Sequence, residues 1–180
     1  MSNFIWGILS VMPHDNQAEL FYRVDKNDKV IGSVPRSEAH ADRNIIHRAV
    51  DIAITNSKRR ILLQKRSMHK DTNPGFWSIS ASGHVTFGET YLQAAERETK
   101  EELGVNIELK FVVKELSKLE REQELTSIYV GKLDFTLTEF DTTEVSEVRW
   151  VDLDRIAEFI TNNQFSAAAK STLETLGYVQ

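Results

Sequence analysis

The sequence predicts an α/β (α+β) domain, an α/β/α sandwich with helices on both faces of a mixed β-sheet. Three observations carry this expectation. Strand-like runs rich in β-branched residues occur both before and after the middle of the chain. Between Thr90 and Leu103 the apolar spacing changes to three- and four-residue steps, which is helical. Two further helical segments close the chain, and strands on both sides of a central helix with helices at the end argue a mixed sheet sandwiched by helices.

From Glu19 to Ser33 two strand-like runs flank the polar turn Asp25-Lys26-Asn27-Asp28, a hairpin signal. Ile45–Thr55 and Arg60–Lys65 flank Asn56-Ser57-Lys58 in the same way. Asn73-Pro74-Gly75 breaks the chain before a strand at Trp77–Ser80. In the central helix Leu92, Ala95, Thr99 and Leu103 form the apolar stripe, and Gly104 stops it. Strands are then expected at Ile107–Val113, Thr126–Phe135 and Val148–Val151, and helices at Leu153–Thr161 and Ser166–Leu176.

The chain's 180 residues suit one domain with a sizeable core, read as 19–180 preceded by an N-terminal extension, 1–18. A formal net charge of -5 lacks the basic footprint of a nucleic-acid binder. The absence of cysteine excludes disulfides, thiolate metal sites and cysteine nucleophiles. The apolar stretch Phe4–Met12 is too short to span a bilayer and has no basic leader, so it reads as a strand or arm packed on the domain. These features predict a cytoplasmic protein that works on a small molecule, with no membrane or nucleic-acid partner; a homodimer is compatible with them.

The chemistry concentrates between Gly83 and Val105. Glu98, Glu101 and Glu102 stand at i, i+3 and i+4, so one helical face gathers three carboxylates. Such crowding is unfavourable unless a cation sits among them. Mg²⁺ or Mn²⁺ takes carboxylate oxygens together with phosphate oxygens, and could activate a water for attack on a diphosphate. Arg97 is placed to pair with Glu89, while Gly83 and Gly88 would let the preceding loop bend. A solvated Glu/Lys face is the bland alternative. Against it stands the full pattern of Gly83, Glu89, Arg97, Glu98, Glu101, Glu102 and Gly104, which chance supplies roughly once in a million such chains. This pattern resembles the Nudix box at every charged and glycine position; Thr99 departs from an aliphatic slot. The resemblance implies Glu98, Glu101 and Glu102 as catalytic metal ligands, with Arg97 supporting them, and leaves open which carboxylate is the general base.

A second resemblance spans about Phe21 to Trp150. V-D-K-N-D-K-V-I-G, H-A-D-R-N-I-I-H-R-A and P-G-F-W-S-I-S-A-S-G-H are similar to the isopentenyl-diphosphate isomerase branch of the Nudix superfamily. It implies a metal site at His40, His47, His84, Glu122 and Glu124, with Glu124 also catalytic, and diphosphate contacts at Arg36, Arg66 and Lys70. Imidazole suits Zn²⁺ or Mn²⁺ better than Mg²⁺, so a second divalent ion is expected there. Two departures weigh against isomerisation. Ser82 stands where that enzyme needs a cysteine, and the glutamate helix is complete where the isomerase's is degenerate. The expected function is metal-dependent hydrolysis of a nucleoside or other organic diphosphate. Isomerisation is the alternative, and a binding module with a vestigial site the third reading.

Overall fold

The computed structural model describes residues 15–118, 122–137 and 139–179. The apolar segment Phe4–Met12 lies outside them. The described strands form one mixed nine-stranded sheet. Its first hairpin joins β1 (Leu20–Val24) to β2 (Val30–Pro35) through the expected polar turn, where Asp28 takes a left-handed conformation. A single helical turn, α1 (Arg36–Ala39), leads to β3 (Ile46–Thr55), the organising strand.

β3 runs parallel to β8 (Gln123–Lys132) along its whole length and antiparallel to β6 (Ala81–His84) on its other side. It meets β4 (Arg60–Arg66) only at Thr55–Ile61, so the expected β3–β4 hairpin diverges after the turn. Instead β4 pairs with β9 (Val145–Asp152), and β5 (Trp77–Ser78) adds a short edge. β7 (Leu109–Lys118) completes the sheet beside β8. β8 begins three residues before the predicted Thr126, which brings Glu124 into the sheet.

The central helix α2 spans Tyr91–Leu103. Thr90 caps it in a reciprocal box with Gln93, and Gly104 ends it at φ 69°, a left-handed position that glycine adopts without a side-chain clash. Ala94, Ala95 and Leu103 pack with Val50, Ile52 and Ile54 on one sheet face. Leu92, expected in that stripe, is exposed; Ala94 and Glu102 are buried, so the inward face is turned away from Leu92. On the opposite sheet face Ala53, Ile61 and Leu63 pack against α3 (Ile156–Asn162) and α4 (Ala167–Thr175) through Ile156, Ala169 and Leu173. A short 3-10 turn, Leu153–Arg155, starts the segment predicted as one helix. The sandwich is therefore the expected one. No described helix is long and apolar enough to cross a membrane.

Candidate active site

A cleft of about 630 Å³ opens between β3, β6, α2 and the loops before β5 and β9. It collects the acidic face of α2, the histidine region and the three candidate phosphate-binding cations.

On α2, Glu102 is 4% exposed and its Oε2 accepts from the Ser82 backbone N–H (3.0 Å) and from Gln64 Nε2 (2.8 Å). Burial raises its pKa to about 7. Glu98 is raised further, to about 8, by burial and then by the like charge of Glu102. Glu101 is more exposed, within 3.0 Å of Arg97 Nη1. Arg97 grips Glu89 through two hydrogen bonds, at 2.8 and 3.0 Å, reaches Glu98 at 2.7 Å, and donates to the His84 carbonyl. One guanidinium thus ties the loop after β6 to the carboxylate face. Of the two glycines expected to bend that loop, Gly88 does so at φ 106°. Gly83 instead lies in β6, and its lack of a side chain has another reason: a Cβ there would fall 2.1 Å from Glu98 Oε1.

Along β3, His47 and Asp51 share a face with Ala49, and the register carries Glu124 beside His47 and Ser82 beside Asp51. His40 enters from α1's end and His84 from β6. Ligand atoms of His40, His47, His84 and Glu122 all lie within 4.8 Å of one another. Glu124 Oε1 approaches His84 Nε2 at 3.2 Å. Phe21 stacks on His84, with centroids 4.3 Å apart, and screens the group from water. Burial, followed by the neighbouring His47, lowers the His84 pKa to about 3, so its ring is neutral and keeps a lone pair. Burial opposes ionisation of Glu124, but the adjacent imidazoles hold its pKa well below the usual range. His47 is completely buried, yet among the described residues neither ring nitrogen finds a hydrogen-bond partner; Nε2 stands 3.6 Å from Glu124, an electrostatic separation. Buried polar atoms without partners are costly, and three imidazoles converging with two carboxylates suit a divalent ion.

The candidate phosphate-binding cations differ. Arg36 is held by Asp71 at 2.9 Å through two nitrogens, with Asp15 at 3.4 Å. Lys70 contacts Asp15 and Glu144, each at 2.5 Å. Arg66 donates to the Thr72 carbonyl and hydroxyl, and among the described residues no carboxylate pairs with it. Sequence reasoning missed Gln64, Asp71, Phe21 and Asp51. Asp51 had a readable signal: a lone carboxylate between Val50 and Ile52 inside a β-branched run.

The fold is a mixed sheet between helical layers, with a polar cleft beside α2. A family model of the NUDIX domain matches residues 45–173, and the chain belongs to the Nudix family. The isopentenyl-diphosphate Delta-isomerase of Pectobacterium atrosepticum is 34% identical over 151 residues, spanning 80% of this chain and 83% of that protein. An uncharacterized Nudix hydrolase of Pseudomonas aeruginosa is 40% identical over 90 residues, 50% of this chain and 53% of that protein. A solved structure from Deinococcus radiodurans, 22% identical, matches with a TM-score of 0.75 over 87% of this chain and 98% of that one, a likeness of fold.

Proposed function

We propose that the chain is a metal-dependent hydrolase that cleaves a diphosphate linkage in a small organic substrate. The observation that carries this reading is the complete carboxylate face of α2, with Glu98 seated over Gly83 and Glu102 fixed by Ser82 and Gln64. Mg²⁺ or Mn²⁺ bound there would neutralise the diphosphate and lower the pKa of a water. Glu98, Glu102 and the more exposed Glu101 would supply the ligands and an acceptor for that water's proton. Arg97 is the positioning residue, since it anchors Glu89 and the His84 carbonyl while touching Glu98 and Glu101. Arg66 is the foremost diphosphate contact, being paired with no carboxylate among the described residues, whereas Arg36 and Lys70 reach substrate only by exchanging partners. His40, His47, His84, Glu122 and Glu124 would hold the second ion, Zn²⁺ or Mn²⁺.

Isomerisation is the second reading, favoured by the isomerase-named relatives and by the histidine cluster. The intact α2 face and Ser82 support hydrolysis over it. A thiol titrates near pH 8.5 and can be tuned lower, whereas serine needs a base to become reactive. The test is a screen of organic diphosphates with Mg²⁺, following phosphate release and isomer ratio together. Phosphate release supports the proposal; isomer without phosphate removes it.

A further inference from the structure

Among the residues lining the cleft, Asp51, Ser78, Ser166 and the small Ala49 are buried, and Ser82 and Ala168 are partly so. Asp51 is the carboxylate of this group and is only 7% exposed. The Thr172 hydroxyl of α4 donates to its Oδ2, and Oδ1 has no hydrogen-bond partner among the described residues. Ser82 stands opposite it across the β3–β6 pair, on the same face, and Ile128 lies beside it on β8. One register step along, Ala49 faces Thr126, whose hydroxyl is buried without a partner among the described residues. Hydroxyls and a buried carboxylate around two alanines make a poor wall for hydrocarbon, because they would lose their water without gaining partners.

We propose that this buried part of the cleft binds a hydrogen-bond donor, a hydroxyl or an ammonium group, at the far end of the substrate from its diphosphate, and that Asp51 is the residue that selects it. The assignment rests on reading the cleft as a diphosphate site. Thr172 fixes the carboxylate and leaves Oδ1 as the acceptor. Glu124 on β8 and Glu115 on β7 act on Asp51 with like charge and Arg66 on β4 with opposite charge. An ionised Asp51 would hold a cationic donor more strongly than a neutral one, through a charge-assisted hydrogen bond. Burial raises the Asp51 pKa to about 7, as expected for a buried carboxyl lacking a cationic partner. A substrate ending in methyl groups would leave Asp51 and Ser82 unsatisfied.

The test uses three alkyl diphosphates of equal chain length, ending in methyl (butyl), hydroxyl (hydroxypropyl) and ammonium (aminopropyl). Binding is measured by calorimetry with Ca²⁺, and kcat/KM for phosphate release with Mg²⁺. The expected order is aminopropyl, hydroxypropyl, butyl, with the donors favoured over butyl by at least about tenfold in binding. Asp51→Asn should shrink that preference to within about threefold. Thr172→Val, which keeps the carboxylate but frees it to rotate, should reduce the preference partway and decides the matter if Asp51→Asn fails to fold. Butyl diphosphate bound as well as the donors, or full discrimination retained in either folded variant, overturns the proposal. Phosphate release in that case leaves the hydrolase reading standing. If none of the three binds in the presence of metal, the diphosphate reading fails and takes this assignment with it.

Discussion

The Glu98 carboxylate lies so close to the backbone of Gly83 that a side chain on Gly83 would overlap it, with a Cβ 2.1 Å from Oε1. Gly83→Ala should therefore displace Glu98 and cost about 1–3 kcal/mol of stability, as overpacking does. The expected result is a lower melting temperature with at least about tenfold weaker Mg²⁺ binding. Unchanged metal affinity would show that Glu98 is not a ligand.

Glu98→Gln and Glu102→Gln each remove a charged ligand while preserving shape. Turnover should fall by at least about a hundredfold in either variant. Mg²⁺-dependent turnover near that of the wild type in both would detach the activity from α2.

Arg97→Ala removes five donors from Glu89, Glu98, Glu101 and the His84 carbonyl. Because the Arg97 side chain is 28% exposed, solvent screening reduces the loss to roughly 1–3 kcal/mol. Melting temperature and turnover should fall together, and an unchanged melting temperature would leave Arg97 without the positioning role.

Glu98, Glu102 and Asp51 have folded-state pKa values raised to about 8, 7 and 7. A carboxyl raised above its unfolded value contributes stability at low pH that is lost as pH rises through the folded value. The metal-free protein should therefore melt several degrees lower at about pH 9 than at about pH 6. Added Mg²⁺ should restore stability at the higher pH and do little at about pH 5, where protons hold the ligands. A melting temperature that rises with pH in EDTA would contradict these shifts.

Much of this arrangement was legible in the residues, because its signals are local. The Thr90–Gly104 helix has a period, a cap and a glycine stop, and the i, i+3, i+4 glutamates place themselves. Arg97 found Glu89 because eight residues of loop and helix separate them. What spacing could not show was long-range. The parallel β3–β8 pairing joins residues over seventy positions apart, and only that register puts Glu124 beside His47 and His84. Gln64 on Glu102, and Asp71 and Asp15 on the candidate phosphate cations, are likewise products of strand order and loop packing. Gly83 was read as a hinge from residue type alone; its reason is a neighbour fifteen residues away.

We propose that this cleft hydrolyses a diphosphate and does not shift a double bond. The most direct measurement incubates the wild-type protein and Mg²⁺ with isopentenyl diphosphate and, separately, with the donor-bearing diphosphates, recording phosphate release and isomer ratio in the same reactions. Metal-dependent phosphate release is expected, greatest from the donor-bearing substrates, with no dimethylallyl diphosphate formed. Robust formation of dimethylallyl diphosphate without phosphate release from any substrate would contradict the proposal.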